Sequence, residues 1–298
     1  MECAPAFRRM RILFRAINRR RFLGTVGAGA AGALGVERLM AGEAKASAGI
    51  RFGVCTGPEN AALLKEAGCD YVEASVQSFL KPDEAEWTPP VDLETLPLGI
   101  ESYNSFLPGG LKVTGPDVDL ERLKAYVTRA CERAKHVGSS VIVWGSGASR
   151  KIPDGWDRAK AEEQYVAALG LAGPIAAAQG LTLALEPLPT RETNIANTTV
   201  EAMGYIRKAE AEGIALMVDL RHFTTMNEPL ENLDACKDLL VHSHVGDPLA
   251  NPDRLKQQLG RLKANGFAAR MSIEGGVKDL KKGLKPAVEA LRKTWAEA

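Results

Sequence analysis

Histidine is scarce in this sequence: His136, His222, His242 and His244 are all there are in 298 residues. A site built from many imidazoles is therefore excluded. Cysteine is nearly as rare. There are five, and none forms a Cys-x-x-Cys pair, the usual spacing of a structural zinc or dithiol site. No glycine-rich phosphate cradle is visible. No apolar run is long enough to span a membrane; residues 24–35 are short and rich in Gly and Ala, and Glu37 and Arg38 cut them off. A basic excess is missing too. The whole chain has 38 Lys/Arg and 37 Asp/Glu, but residues 1–48 hold nine of the former and three of the latter. Residues 49–298 therefore carry 29 basic and 34 acidic groups, a net of −5, which argues against a nucleic-acid partner.

What is present begins with a removable front. Asn18-Arg19-Arg20-Arg21-Phe22-Leu23 is a twin-arginine pattern, followed by a Gly/Ala-rich stretch and by Ala46-Ser47-Ala48 as a small-x-small cleavage site. A basic start, a weakly apolar middle and a small-residue exit make residues 1–48 an expected signal peptide for the twin-arginine (Tat) export machinery. Met10 is an alternative start that keeps the signal intact. The mature chain is expected in the periplasm or another extracytoplasmic space. Its cysteines are Cys55, Cys69, Cys131 and Cys236. Export would permit disulfides, but Cys55 and Cys69 lie in or beside apolar runs where buried thiols are common. No structural disulfide is expected.

Residues 49–298 alternate short apolar runs with helical patterns. Strands are expected at Ile50 to Cys55, Tyr71 to Val76, Gly99 to Phe106, Ser140 to Trp144, Leu181 to Glu186, Ala215 to Asp219, Leu239 to His244 and Arg270 to Glu274. Helices are expected at Asn60 to Ala67, Leu120 to His136, Arg158 to Gln179 with Pro174 as a bend, Thr199 to Glu212, Leu230 to Asp238, Asn251 to Asn265 and from about Val277 to Trp295. A long connection rich in Pro and charge, Phe79 to Leu98, is expected to act as a lid or binding loop. Eight strands alternating with helices, and no break in composition, predict one α/β domain, a parallel (β/α)8 TIM barrel over residues 49–298.

Four of these strands end on a potential metal ligand: Glu186, Asp219, His244 and Glu274, separated by 33, 25 and 30 residues, about one βα unit each. Consecutive parallel strands lie side by side, so groups at matching ends converge on one mouth of a barrel. Three carboxylates and an imidazole suit Mn²⁺ or Mg²⁺, with Co²⁺ or Zn²⁺ as alternatives. Without a cation the carboxylates would repel one another. Three further residues lie close in sequence. His222 and Glu192 are placed to hold hydroxyls, and Trp144, closing the fourth strand, to cover the apolar face of a sugar. His242 points to the same side as His244 but one layer deeper, as a structural or supporting group. His136 ends a surface helix. Glu73 lies inside the second strand, where a buried salt bridge is the expected use.

These residues resemble those of the sugar phosphate isomerase/epimerase superfamily, the xylose isomerase-like TIM barrels that include ketose 3-epimerases. The resemblance is carried by Asn104-Ser105-Phe106-Leu107-Pro108-Gly109 with Val113-Thr114-Gly115-Pro116, by Val143-Trp144-Gly145-Ser146, and by Glu186-Pro187-Leu188 with Arg191-Glu192-Thr193-Asn194. It continues in Asp219-Leu220-Arg221-His222, His242-Ser243-His244 and Ile273-Glu274-Gly275. It implies a metal held by Glu186, Asp219, His244 and Glu274, with the two glutamates also acting as the acid/base pair and His222 and Glu192 holding substrate. The expected reaction is isomerisation or epimerisation of a keto-sugar by α-proton abstraction through an enediolate. One position departs from the pattern. The epimerases place an Arg a few residues after the metal His, and here Asp247-Pro248-Leu249-Ala250-Asn251 has Ala250 there. The same site supports a keto-sugar or keto-cyclitol dehydratase, a lyase. The missing Arg also leaves an exported, non-catalytic sugar-binding barrel as an alternative. A nuclease on a related barrel would need more histidines than this chain has. A homo-oligomer is compatible with the sequence.

Overall fold

The computed structural model describes residues 49–298; the export expectation for residues 1–48 lies outside them. Strands β1 (Arg51–Cys55) and β2 (Tyr71–Ser75) flank helix α1 (Ala61–Glu66). A single π-helical turn, Val76–Leu80, leads from β2 into the long connection before β3 (Ile100–Asn104). Helix α2 (Leu120–Val137) precedes β4 (Val141–Trp144). A short turn, α3 (Gly147–Arg150), and α4 (Arg158–Ala178) lead to β5 (Thr182–Leu185). Then come α5 (Thr199–Ala209), β6 (Ile214–Asp219), α6 (Leu220–Thr225), α7 (Glu231–Ala235) and β7 (Leu240–Val245). Helix α8 (Pro252–Ala264), β8 (Arg270–Ile273) and α9 (Leu280–Glu297) complete the chain.

All eight strands are parallel, and β8 pairs with β1 to close the barrel in sequence order. The expected TIM barrel is the observed fold. Each long helix begins where an acceptor side chain takes up a free backbone N–H: Asp119 for α2, Asp157 for α4, Thr198 for α5, Asn251 for α8 and Asp279 for α9. The main core lies between the barrel and its helices. Val141, Val143, Ala184 and Met217, from β4, β5 and β6, form a separate apolar cluster inside the barrel. The interior of the β1–β3 and β7–β8 side is polar instead, with Glu73, Ser102, His242, His244 and Ser272 all buried.

Several expectations shift; α3 is an added turn, and the helix expected over Thr199 to Glu212 ends at Ala209, where Glu210 turns left-handed. Helix α6 was not foreseen, because six residues starting on the heels of a strand leave no room for a periodic pattern. The helix expected over Leu230 to Asp238 is only the short α7. The last helix starts at Leu280 rather than Val277, since Asp279 is its N-cap, extended in backbone and accepting through its side chain from the N–H of Lys281 and Lys282.

The connection after β2 is fastened rather than free. Arg133 of α2 donates to the carbonyls of Leu80, Lys81, Glu84 and Ala85. Trp87 Nε1 donates to Phe79 O at 2.8 Å. The four cysteines of the described residues are free thiols, and no helix among these residues is long and apolar enough to cross a membrane.

Candidate metal centre

β5 and β8 stop one residue before Glu186 and Glu274, yet the ladder continues through both. Glu186 N donates to Trp144 O at 3.1 Å, and Glu274 N donates to Val245 O at 2.8 Å. Both therefore keep strand-like alternation and turn their side chains to the barrel mouth. Asp219 and His244 are register partners on β6 and β7. One ligand atom from each of Glu186, Asp219, His244 and Glu274 can be chosen so that all four lie within 4.8 Å of one another. The structure thus brings together the four side chains singled out in the sequence.

Asp219 serves two ends of one carboxylate. Oδ1 accepts from the backbone N–H of Arg221 at 2.6 Å and of His222 at 3.2 Å, capping α6. Oδ2 faces the mouth, 3.6 Å from His222 Nε2. Helix capping and metal ligation, alternatives for a strand-end Asp, are compatible here. Glu186 is packed against β4: a Cβ on Gly145 would lie 2.3 Å from Glu186 Oε2, so only glycine leaves room for the carboxylate. Behind it the fully buried Arg150 donates from Nη2 to Glu186 O at 2.7 Å.

Two residues were undervalued by sequence reasoning. Glu73 lies at the centre of a buried network. Its Oε1 is 2.7 Å from His244 Nε2, and its Oε2 is 2.8 Å from His242 Nε2. Ser102 and Ser272 hydroxyls donate to Oε2 at 2.9 and 2.6 Å. Burial lowers the pKa of His242, so its contact with Glu73 is a hydrogen bond; the buried ion pair expected for Glu73 is present with His244, whose pKa is raised. This contact sets the orientation of His244: Nε2 is committed to Glu73, and Nδ1 faces the mouth, 3.5 Å from Glu274 Oε2. The signal in the sequence was a lone Glu in an apolar strand, whose facing no local pattern decides. The second residue is Arg221. Its Nη2 donates to Asp219 Oδ2 at 2.9 Å and to Glu274 Oε2 at 3.1 Å, placing a cation among the candidate ligands.

The electrostatics follow from burial and these contacts. Burial raises the pKa of Glu186, with Glu274 and Asp219 adding to it and His222 opposing. Burial also works against the charge of Glu274, but His244 and Arg221 overcome it and hold that carboxyl at about 2. Burial disfavours the charged forms of Glu73 and His244 as well. Their mutual attraction wins, lowering Glu73 well below and raising His244 well above their ordinary values. A divalent cation at Nδ1 would take the place of the second proton on that ring.

The residues present fit such a cation. The donor set is hard and mostly oxygen. Glu186 Oε1 and His244 Nδ1 are buried without an aligned hydrogen-bond partner, although Glu186 Oε1 is 3.3 Å from His222 Nδ1. Buried polar atoms without partners are costly, and a metal satisfies both. A second group, Cys55, Glu73 and His244, also comes within 4.8 Å, but the four contacts already made by Glu73 leave it poorly placed to serve another ion.

Of the remaining expected residues, His222 is nearly buried beside Glu186, and Glu192 Oε1 lies 3.9 Å from His222 Nε2 at the exposed rim. Trp144 is displaced from the expected arrangement. It is fully buried, with its ring edge-on to Phe106 at 5.3 Å, because Trp144 is turned outward into the helix-facing core rather than toward the mouth. His242 sits one layer below His244 and is bonded to Glu73, as expected of a supporting group. His136 lies in the last turn of α2 against Trp87.

A family model described as xylose isomerase-like TIM barrel matches residues 61–294. No curated protein matches the sequence. Among solved structures, the apo form of the 3-keto-D-glucoside 4-epimerase YcjR from E. coli superposes with a TM-score of 0.69 at 18% identity, covering 82% of this chain and 99% of that one. The D-psicose 3-epimerase from Clostridium cellulolyticum H10, solved with D-tagatose, gives 0.70 at 15% identity over 82% and 99%. The IOLI protein with a bound zinc atom gives 0.61 at 16% identity over 83% and 97%. At these identities the likeness is one of fold.

Proposed function

Since the chain belongs to the xylose isomerase-like TIM-barrel family, we propose that it is a divalent-metal-dependent isomerase or epimerase acting on a keto-sugar by α-proton abstraction through an enediolate. The observation that carries this reading is the convergence of Glu186, Asp219, His244 and Glu274 within 4.8 Å at the ends of four consecutive strands. Solved neighbours that act on keto-sugars, and one with zinc, are consistent with it. Three carboxylates and one imidazole favour Mn²⁺, with Mg²⁺, Co²⁺ and Zn²⁺ as alternatives.

Those four side chains would hold the cation. Bound there, it supplies Lewis acidity that stabilises negative charge on a carbonyl oxygen and its neighbouring hydroxyl oxygen. The chain's own groups supply the proton chemistry. Glu186 and Glu274 reach the mouth from strands that are not neighbours, so a sugar carbon between them has one carboxylate on each face. One takes the α-proton and the other delivers a proton to the opposite face, which inverts the centre. Burial raises the Glu186 pKa toward the range where a group both accepts and releases a proton. His222 orients the Glu186 carboxylate, and Glu192 at the rim accepts from a sugar hydroxyl. Trp144 has no part in this scheme.

The test is solvent exchange. Mn²⁺-loaded protein is incubated with keto-sugars in D₂O, and α-deuteration is read by NMR and mass. Glu186→Gln and Glu274→Gln are each expected to abolish exchange while circular dichroism is unchanged. Undiminished exchange in either variant refutes the assignment. A product lighter by one water assigns the site to a dehydratase instead.

A further inference from the structure

The candidate ligands occupy the β5–β8 side of the barrel mouth, and the opposite side holds open space. A cavity of about 600 Å³ lies over the ends of β1, β2 and β3 and under the connection that follows β2. Cys55 lines it, and Cys55 and Glu274 directly follow the register partners Val54 on β1 and Ile273 on β8, so the cavity adjoins the metal centre. Cavities of roughly 300–1,000 Å³ enclose ligands of drug size, and a hexose with about twelve non-hydrogen atoms would fill only a fraction of this one.

The wall has a definite chemistry. Ser75, Ser78 and Asn104 contribute hydroxyl and amide groups. Ser75 Oγ accepts from Ser78 N, which leaves its own hydrogen to donate, and Asn104 Nδ2 makes no hydrogen bond among the described residues. Phe79, Pro90 and Val91 form an apolar side. Such a mixture suits a sugar ring, with hydroxyls around its edge and C–H groups on its faces. Among the described residues, no Lys, Arg or His lines the cavity, and its one ionisable oxygen acid is Glu59. A phosphate there would meet no cation and one carboxylate.

We infer that this cavity is a subsite for a second, uncharged sugar unit, which makes the substrate an unphosphorylated keto-glycoside rather than a free ketose or a sugar phosphate. The inference rests on the function proposed above. With the glycosidic bond at the anomeric carbon of the ring held at the metal centre, the ketone lies on another carbon of that ring, and the second unit extends over β1–β3.

The experiment compares α-deuteration of 3-keto-cellobiose, methyl 3-keto-glucoside and 3-keto-glucose 6-phosphate by the Mn²⁺-loaded protein in D₂O. The disaccharide is expected to have a kcat/KM about tenfold or more above the methyl glycoside, with the phosphate the poorest. Val91→Trp, which fills the cavity without touching the metal centre, should erase the disaccharide's advantage and leave the methyl glycoside unchanged. Equal turnover of disaccharide and methyl glycoside, or a preference for the phosphate, overturns the subsite while leaving the proposed reaction intact. If none of the three exchanges while a free ketose such as D-fructose does, the keto-glycoside inference is overturned with the proposed reaction intact; if no keto-sugar exchanges, the proposed reaction fails, and binding still decides the cavity. Calorimetry with unreactive cellobiose should show binding that Val91→Trp weakens about tenfold; absence of binding, or binding that the variant does not weaken, overturns the inference.

Discussion

Replacement of Glu73 probes the barrel interior and the candidate metal centre together. This carboxylate is fully buried and has four hydrogen-bond partners, two of them imidazoles. Glu73→Ala leaves His244, His242 and two hydroxyls without their acceptor. Removing one partner of a buried ion pair costs about 3–5 kcal/mol, and at about 2–4 °C per kcal/mol for a domain of this size the melting temperature should fall by roughly 6–20 °C. Glu73→Gln preserves the shape but can accept at only one end. Its amide nitrogen would face either His244 Nε2 or the Oε2 partners. The expected loss of stability is smaller, about 1–3 kcal/mol. Facing a donor, His244 is driven to the tautomer that carries hydrogen on Nδ1, the atom turned to Glu274 and the other candidate metal ligands. Divalent-metal affinity should therefore fall by about 10- to 100-fold, as is usual when the group orienting a metal-binding histidine is changed. Thermal denaturation in chelator measures the first effect, and Mn²⁺ calorimetry the second. A Glu73→Gln protein that binds Mn²⁺ as tightly as the wild type would refute the reasoning, because His244 would then not depend on Glu73 for its orientation.

Arg221→Gln should tighten divalent-metal binding, by about tenfold or more, because a cation in contact with Asp219 and Glu274 is removed; weaker binding in calorimetry would show that the arginine organises the carboxylates instead. Chelator-treated protein should lose stability in acid. Glu274 and Glu73 have folded pKa values below their ordinary ones, so their contributions are complete above the ordinary carboxylate range and are lost as pH falls, for Glu274 through about 2. His244 acts in the opposite sense: its raised pKa contributes stability at low pH that is lost as pH rises through the raised value, and Mn²⁺ should remove that alkaline loss. Melting curves across pH with and without Mn²⁺ read both limbs, and a flat acid limb would contradict the carboxylate assignments. Residues 1–48 fused to a folded reporter should direct it out of the cytoplasm, and Arg20→Lys with Arg21→Lys should retain it, as judged by fractionation.

The sequence by itself determined the alternation of strand and helix, and with it the barrel, because apolar runs, helix caps and glycine stops are local signals that neighbours in the chain interpret without help. It also determined which four residues could meet at the mouth. A parallel barrel converts a spacing of about one βα unit into adjacency, so Glu186, Asp219, His244 and Glu274 could be named before any distance was known. Only the tertiary structure decided what depends on contacts across the barrel. Glu73 and His244 are 171 residues apart in the chain, and their 2.7 Å contact fixes which imidazole nitrogen faces the mouth. Arg221 could have pointed anywhere from the first turn of α6, and it lies across two carboxylates from different strands. Trp144 ends a strand whose every residue is buried, so burial alone could not tell which of its faces turns outward; the register of β4 against β5 decided that its ring joins the outer core. Side-chain facing and long-range pairing arise only when distant segments share a surface, and no local pattern records them.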